Sequence, residues 1–291
     1  MHMPLRPTDG RRMARILVAA SSPGAGATTV AVGLAHRLAY AGHDVRIERL
    51  SGDARAAADA AVFAALEFCA STGTPVDAGA VPDGAVVVIE APVGADAAAL
   101  ASRLGAKWVV VDDGTDTPSG ATLTITNRAR RGGTRTLPED RLLAAPTVGQ
   151  IAESARARVL VRSQEGDRAV IEHVVIGAIS HDSADTYFAR FPRKAVVCRA
   201  EKTDLGLAAL LTGAELLVLS GGNDPSPYLL DRAGASRITT VLLAPEGTVE
   251  TVRDIEGLYG TVPFSHASKV ERAGELIAAA LDDASLASLL A

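Results

Sequence analysis

The chain has 291 residues, 48% of them hydrophobic and 22% charged, with a formal net charge of −5. That length buries a large core and most naturally divides into two domains, and the acidic balance gives no overall electrostatic case for binding nucleic acid or an anionic membrane. Its two cysteines, Cys69 and Cys198, each lie inside an apolar pattern, which argues against a disulfide framework or a metal knuckle and points to a reducing, cytoplasmic setting.

The opening stretch carries charges but no apolar core of the signal-peptide kind, so residues 1–14 read as a leader. No run approaches the ~20 apolar residues of a membrane span. "RILVAAS" (15–21) predicts a strand, and 27–41 a helix with Val30, Leu34, Ala35 and Leu38 on one face. A second strand fits 44–50, and the alanine-rich stretch 53–70 reads as helix. "AVVVIEA" (85–91) and "KWVVVDD" (107–113) are near-continuous β-branched runs, the pattern of strands buried on both faces of a parallel sheet. A helix ending at Gly105 lies between them, and 121–127 is a further strand.

After Pro138 the chain turns connective, with Thr147 placed to cap a short helix and a strand at 158–162. A second α/β alternation follows: strands at 174–180, 194–200, 215–221 and 238–244, and helices at 182–190, 204–213, 226–234 and 248–257. The final stretch from Ser268 is amphipathic helix. The expected class is therefore α/β, with a parallel-sheet domain over 15–140 and a second α/β domain over 141–291 that includes the C-terminal helix.

The first β–α turn, "SSPGAGATT" (21–29), has the spacing of a phosphate-binding loop: Ser21, four residues, then Gly26, Ala27, Thr28. Gly24, Gly26, Thr28 and Thr29 fall where backbone N–H groups and a helix N-terminus would cradle an anion. Ala27 stands where such a loop carries its lysine. The plainer reading is a tight turn of small residues chosen for close packing. Glu90, ending the third strand, is either a magnesium-directed carboxylate or an ordinary strand-end residue; Arg49, ending the second, faces the same crevice. Asn127 ends the 121–127 strand, and the arginines after it read first as a solvated loop. In the second domain Asp204 reads first as a helix N-cap, and Ser220 with the Gly221–Gly222 turn as tight-turn chemistry that also admits a phosphate. The six histidines show no metal spacing, and His181 reads as a loop residue.

Together these residues resemble the dethiobiotin synthetase-like domain, an ATP-binding family with a parallel sheet. Ser21 matches that family's common replacement of the loop's first glycine. Glu90-Ala91-Pro92-Val93-Gly94 is similar to its acidic glycine loop, Arg49-Leu50 to its lysine-proline, and Asn127 to its adenine-contacting asparagine. "LPEDRLLAAPTVGQIAE" (137–153) looks like the junction where this domain is fused to a DRTGG domain, as in the N-terminal regions of some long phosphotransacetylases. Gly177-Ala178, Asp204, Leu207-Ala208-Ala209, Gly221-Gly222 and Pro225 follow the DRTGG order, with Glu201-Lys202 in place of Asp-Arg and Ser220 in place of Thr.

The resemblance implies a homodimer formed through the second domain. With the loop lysine gone, it also implies a non-catalytic sensing or interaction protein that holds a nucleotide, a phosphate or a small metabolite weakly, with no secure place for magnesium. The alternatives are an ATP-dependent ligase of the dethiobiotin synthetase or cobyrinic acid amidation type, and a scaffold subunit without a ligand.

Overall fold

A computed structural model describes residues 13–112, 120–177 and 181–291, the side chains of 181–183 excepted. The leader as far as residue 12, Ala178 and the His181 side chain lie outside the described residues. The chain forms two compact units, one made of residues up to 140 together with 263–291, the other of 141–262.

In the first unit β1 (Ala14–Ala20), β2 (Val45–Arg49), β3 (Val86–Glu90), β4 (Lys107–Asp112), β5 (Leu123–Ala129) and β6 (Thr136–Pro138) form one sheet. Their order is β2-β3-β1-β4-β5-β6, and every pairing is parallel. All C-terminal strand ends therefore share one edge, and the chain's direction of winding reverses beside β1, where open α/β sheets leave a crevice. One face of the sheet packs Leu17, Ala19, Val87, Ile89, Trp108 and Val110 against Ala101 and Leu104 of α3 (Ala97–Leu104). Ahead of α3 in the chain come α1 (Ala27–Tyr40) and α2 (Ala56–Ala64).

The expected helix over 53–70 is only α2. Beyond it the chain runs back along the outer edge of β2: Ala70 and Val76 exchange backbone hydrogen bonds with Val45, Ile47, Arg49 and Ser51. Satisfying those open edge groups outweighs the helix propensity of a few more residues.

The second unit begins with α4 (Arg141–Ala144) and α5 (Val148–Ser154), the latter closed by a capping box between Thr147 and Gln150. Its sheet comprises β7 (Arg158–Val161), β8 (His173–Ile176), β9 (Lys194–Arg199), β10 (Leu216–Ser220) and β11 (Thr240–Leu243), in the order β7-β11-β10-β9-β8, with only β7 antiparallel. Alternate strand residues divide between two cores. Val196, Cys198, Leu217 and Leu219 meet α6 (His181–Phe188), α7 (Thr203–Leu211) and α8 (Pro227–Ala235); Ala195, Val197, Leu216 and Val218 meet α5 and α9 (Thr248–Glu256).

The C-terminal stretch is two helices, α10 (Ala267–Ala280) and α11 (Asp283–Leu290), divided at Leu281 and Asp282. They belong to the first unit, not the second as the sequence reading had it. The reason is a close helix crossing: a β-carbon on Gly33 of α1 would lie 2.6 Å from Ile277 and 2.7 Å from the carbonyl oxygen of Ala273, and Gly274 of α10 faces the ring of His36. Glycines on both helices let them approach face to face.

Candidate functional site

Five polypeptide segments meet at the C-terminal edge of the first sheet: the loop 21–26 and the ends of β2, β3, β4 and β5. The loop enters from β1, with the Ser21 amide donating to the Val111 carbonyl at 2.9 Å, and leaves into α1 at Gly26, whose φ of +102° is a conformation glycine adopts without strain. Helix α1 has no side-chain cap and no acidic residue in its first turn. Among the described residues, the amides of Gly24, Gly26, Ala27, Thr28 and Thr29 donate to no acceptor. A 14-residue helix thus presents its positive end and unpaired donors at the crevice.

Thr28, in that first turn, donates its hydroxyl to Glu90 Oε1 at 2.9 Å. Glu90 is 3% exposed, and its Oε2 accepts no hydrogen bond among the described residues. Burial pushes this carboxyl up to about 7, although Arg49 and the Thr28 hydroxyl pull the other way. Ala27, 8% exposed, places a methyl group where a lysine would bring charge.

Arg49 does not face the crevice as a free ligand contact. It is 1% exposed and enclosed by its own partners: Nε to Asp59 at 3.3 Å, Nη2 to Asp53 at 2.5 Å, Nη1 to the Leu50 carbonyl at 2.8 Å, and Nε 3.8 Å from Glu90 Oε2. Burial alone would lower its pKa, but the carboxylates of Glu90, Asp53 and Asp59 raise it further than burial lowers it. Asp59 is raised by burial; Asp53, despite burial, is held low by the Val93 amide and by Arg49.

Asn127 is also spent within the chain. Its Nδ2 donates to the Ala25 carbonyl at 2.8 Å, and its Oδ1 accepts the Arg128 amide at 2.9 Å. The side chain bolts the loop to β5.

Of the second-unit candidates, Ser220 and the Gly221–Gly222 turn are engaged within their own unit. Ser220 is buried, its hydroxyl donating to the Cys198 carbonyl at 3.2 Å and lying 2.8 Å from Thr248 Oγ1. The Gly221 and Gly222 amides donate to the carbonyls of Glu246 and Ala244, so this turn holds the segment before α9 and has no free donor at either glycine. Asp204 is not the N-cap, which is Lys202; it sits exposed in the first turn of α7. Glu201 and Asn223, flanking these positions, bond to one another.

Two features escaped the sequence reading. Asp112 ends β4 buried and engaged, one strand from the loop, and its signal was visible as an apolar run closing on an acid. Asp53 and Asp59 lie in the stretch read only as helix, yet they make Arg49 an internal ion pair. Among the described residues no group of three His, Cys, Asp or Glu is arranged to hold a metal ion, and no helix is long and apolar enough to cross a membrane.

Residues 150–258 match the model of the DRTGG domain family. The second unit carries a DRTGG domain. Ser220 and the Gly221–Gly222 turn stand inside that domain, on the strand end and loop just described. Among solved structures the chain is similar to the CBS and DRTGG domains of the regulatory region of Clostridium perfringens pyrophosphatase, complexed with its activator diadenosine tetraphosphate. The identity is 16% and the TM-score 0.37, over 44% of this chain and 56% of that one. This chain thus spans little more than half the length of that regulatory fragment.

Proposed function

We propose that this is a regulatory, non-catalytic protein: a first unit of dethiobiotin synthetase-like ancestry that holds a phosphate-bearing ligand at its loop, joined to a DRTGG domain. One observation carries the reading. Among the described residues, the unpaired amides of Gly24, Gly26, Ala27, Thr28 and Thr29 sit at an uncapped helix N-terminus, while Ala27 withholds the cation that phosphoryl transfer uses. Backbone donors bind ground-state phosphate; developing charge on a transferred phosphoryl group calls for a lysine or its equivalent.

We also propose a homodimer through the DRTGG domain, in keeping with the exposed apolar side chains of Leu211, Tyr228 and Ile238. The Thr28–Glu90 pair favours the second reading, an ATP-dependent ligase with a rearranged loop. Steady-state ATP and GTP turnover separates the two. The regulatory reading expects none, whereas turnover above about 1 s⁻¹ that Thr28→Ala abolishes would make the chain an ordinary enzyme.

A further inference from the structure

We propose that Arg49 is the resident cation of the loop site, so that the site takes a phosphate anion free of divalent metal. This rests on the anion reading above and adds which form of the ligand is bound. In folds of this shape the carboxylate ending β3 and the hydroxyl in the first turn of α1 are the natural ligands of magnesium. Here both are engaged otherwise. Thr28 donates to Glu90 Oε1 at 2.9 Å, and the guanidinium of Arg49 stands 3.8 Å from Glu90 Oε2.

Asp53 and Asp59 are spent on the same guanidinium, at 2.5 Å and 3.3 Å, and Asp112 at the end of β4 is engaged elsewhere. Magnesium demands about six oxygens in octahedral array near 2.1 Å. Among the described residues, an ion reaching Glu90 Oε2 would find one free carboxylate oxygen, with a buried positive charge beside it. The described residues do not fit a divalent cation.

What they do fit is a fixed charge. Arg49 is anchored on four sides, by Asp53, Asp59, Glu90 and the Leu50 carbonyl, and buried beyond reach of solvent. Its charge opposes that of Glu90, which otherwise faces the helix terminus from below and would repel an arriving anion. Asp53 adds a second restraint, because its Oδ2 also accepts the Val93 amide at 2.9 Å and so ties the loop after β3 to the loop after β2. Arg49 is thus a positioning and charge-balancing residue, not a contact to the ligand.

Calorimetric titration of the full chain with ADP, once in EDTA and once in excess magnesium chloride, tests this. Affinities equal within about threefold support the proposal, and a gain of about tenfold or more with magnesium overturns it while leaving the anion reading standing. Absence of binding in both buffers overturns both. Manganese binding, followed by electron paramagnetic resonance without nucleotide, gives a second readout. The native chain is expected to bind none, and Arg49→Met, which frees three carboxylates, is expected to gain a site that adding Glu90→Gln removes. A folded Arg49→Met chain that gains no manganese counts against the proposal. So does manganese on the native chain that Glu90→Gln alone displaces, and that arm does not depend on Arg49→Met folding.

Discussion

The side-chain nitrogen of Asn127 stands against the α-carbon of Gly26, in the space a β-carbon would fill, and donates to the carbonyl of Ala25 at 2.8 Å. Gly26→Ala therefore meets two penalties, a strained φ near +102° and an overlap with Asn127. Together they should lower stability by about 1–3 kcal/mol in denaturant unfolding and displace the loop. Adding Asn127→Ala should recover the part due to overlap and leave the part due to φ. If the double variant is no more stable than Gly26→Ala, Asn127 is not what fills the space.

Glu90 makes stability depend on pH in a defined window. Its carboxyl rises from 4.5 to about 7 on folding, with burial as the main cause. Between those values the folded chain holds a proton that the unfolded chain has released, so stability falls as pH rises through the window. Glu90→Gln removes that slope. Relative to the native chain the variant should gain up to about 3 kcal/mol between acid and mildly alkaline pH, and parallel unfolding curves at pH 5 and pH 8 would refute it.

Lys269, in the first turn of α10, is fully buried, and its Nζ has no hydrogen-bond partner among the described residues. Burial alone lowers its pKa from 10.5 to about 8. Between these values the unfolded chain binds the proton and the folded chain does not, so this residue makes stability rise with pH. Lys269→Met should stabilise the chain at neutral pH by about 1–3 kcal/mol, and the gain should shrink as pH rises from about 8 to 10.5. Melting temperatures of the two chains across that range check it; a destabilised variant at pH 7 would mean that the amine has a function in the fold.

The parallel strands were legible because burial on both faces leaves unbroken apolar runs, as in 86–89, 108–111 and 216–219. The return of the chain along β2 at 70–76 was not, because edge pairing is long-range and no local pattern encodes it. An amphipathic helix likewise announces an apolar face but not its partner, so α10 was assigned to the wrong unit, although Gly33 and Gly274 mark the crossing in hindsight. At the site, spacing singles out the loop glycines and Thr28, and a strand end singles out Glu90; the structure brings Thr28 and Glu90 into a hydrogen bond. Arg49 was found and misread, since its role depends on Asp53 and Asp59, four and ten residues onward, turning inward to meet it. The resemblance implies a ligand contact at Asn127, whereas its bond to Ala25, 102 residues away in sequence, has no local pattern to announce it.

On this reading the loop still holds an anion although Ala27 stands in place of a lysine. Backbone amide resonances of residues 24–29, followed while ATP, ADP or inorganic phosphate is titrated into the full chain, test it most directly. Several hydrogen bonds to a charged group, less the desolvation and ordering they require, correspond to dissociation constants on the order of tens of micromolar or weaker. The account expects shifts centred on Gly24, Gly26 and Thr28 that saturate in that range and vanish in Gly26→Val. Amide signals from 24 to 29 that stay unmoved by all three additions would contradict it and leave the loop a packed turn.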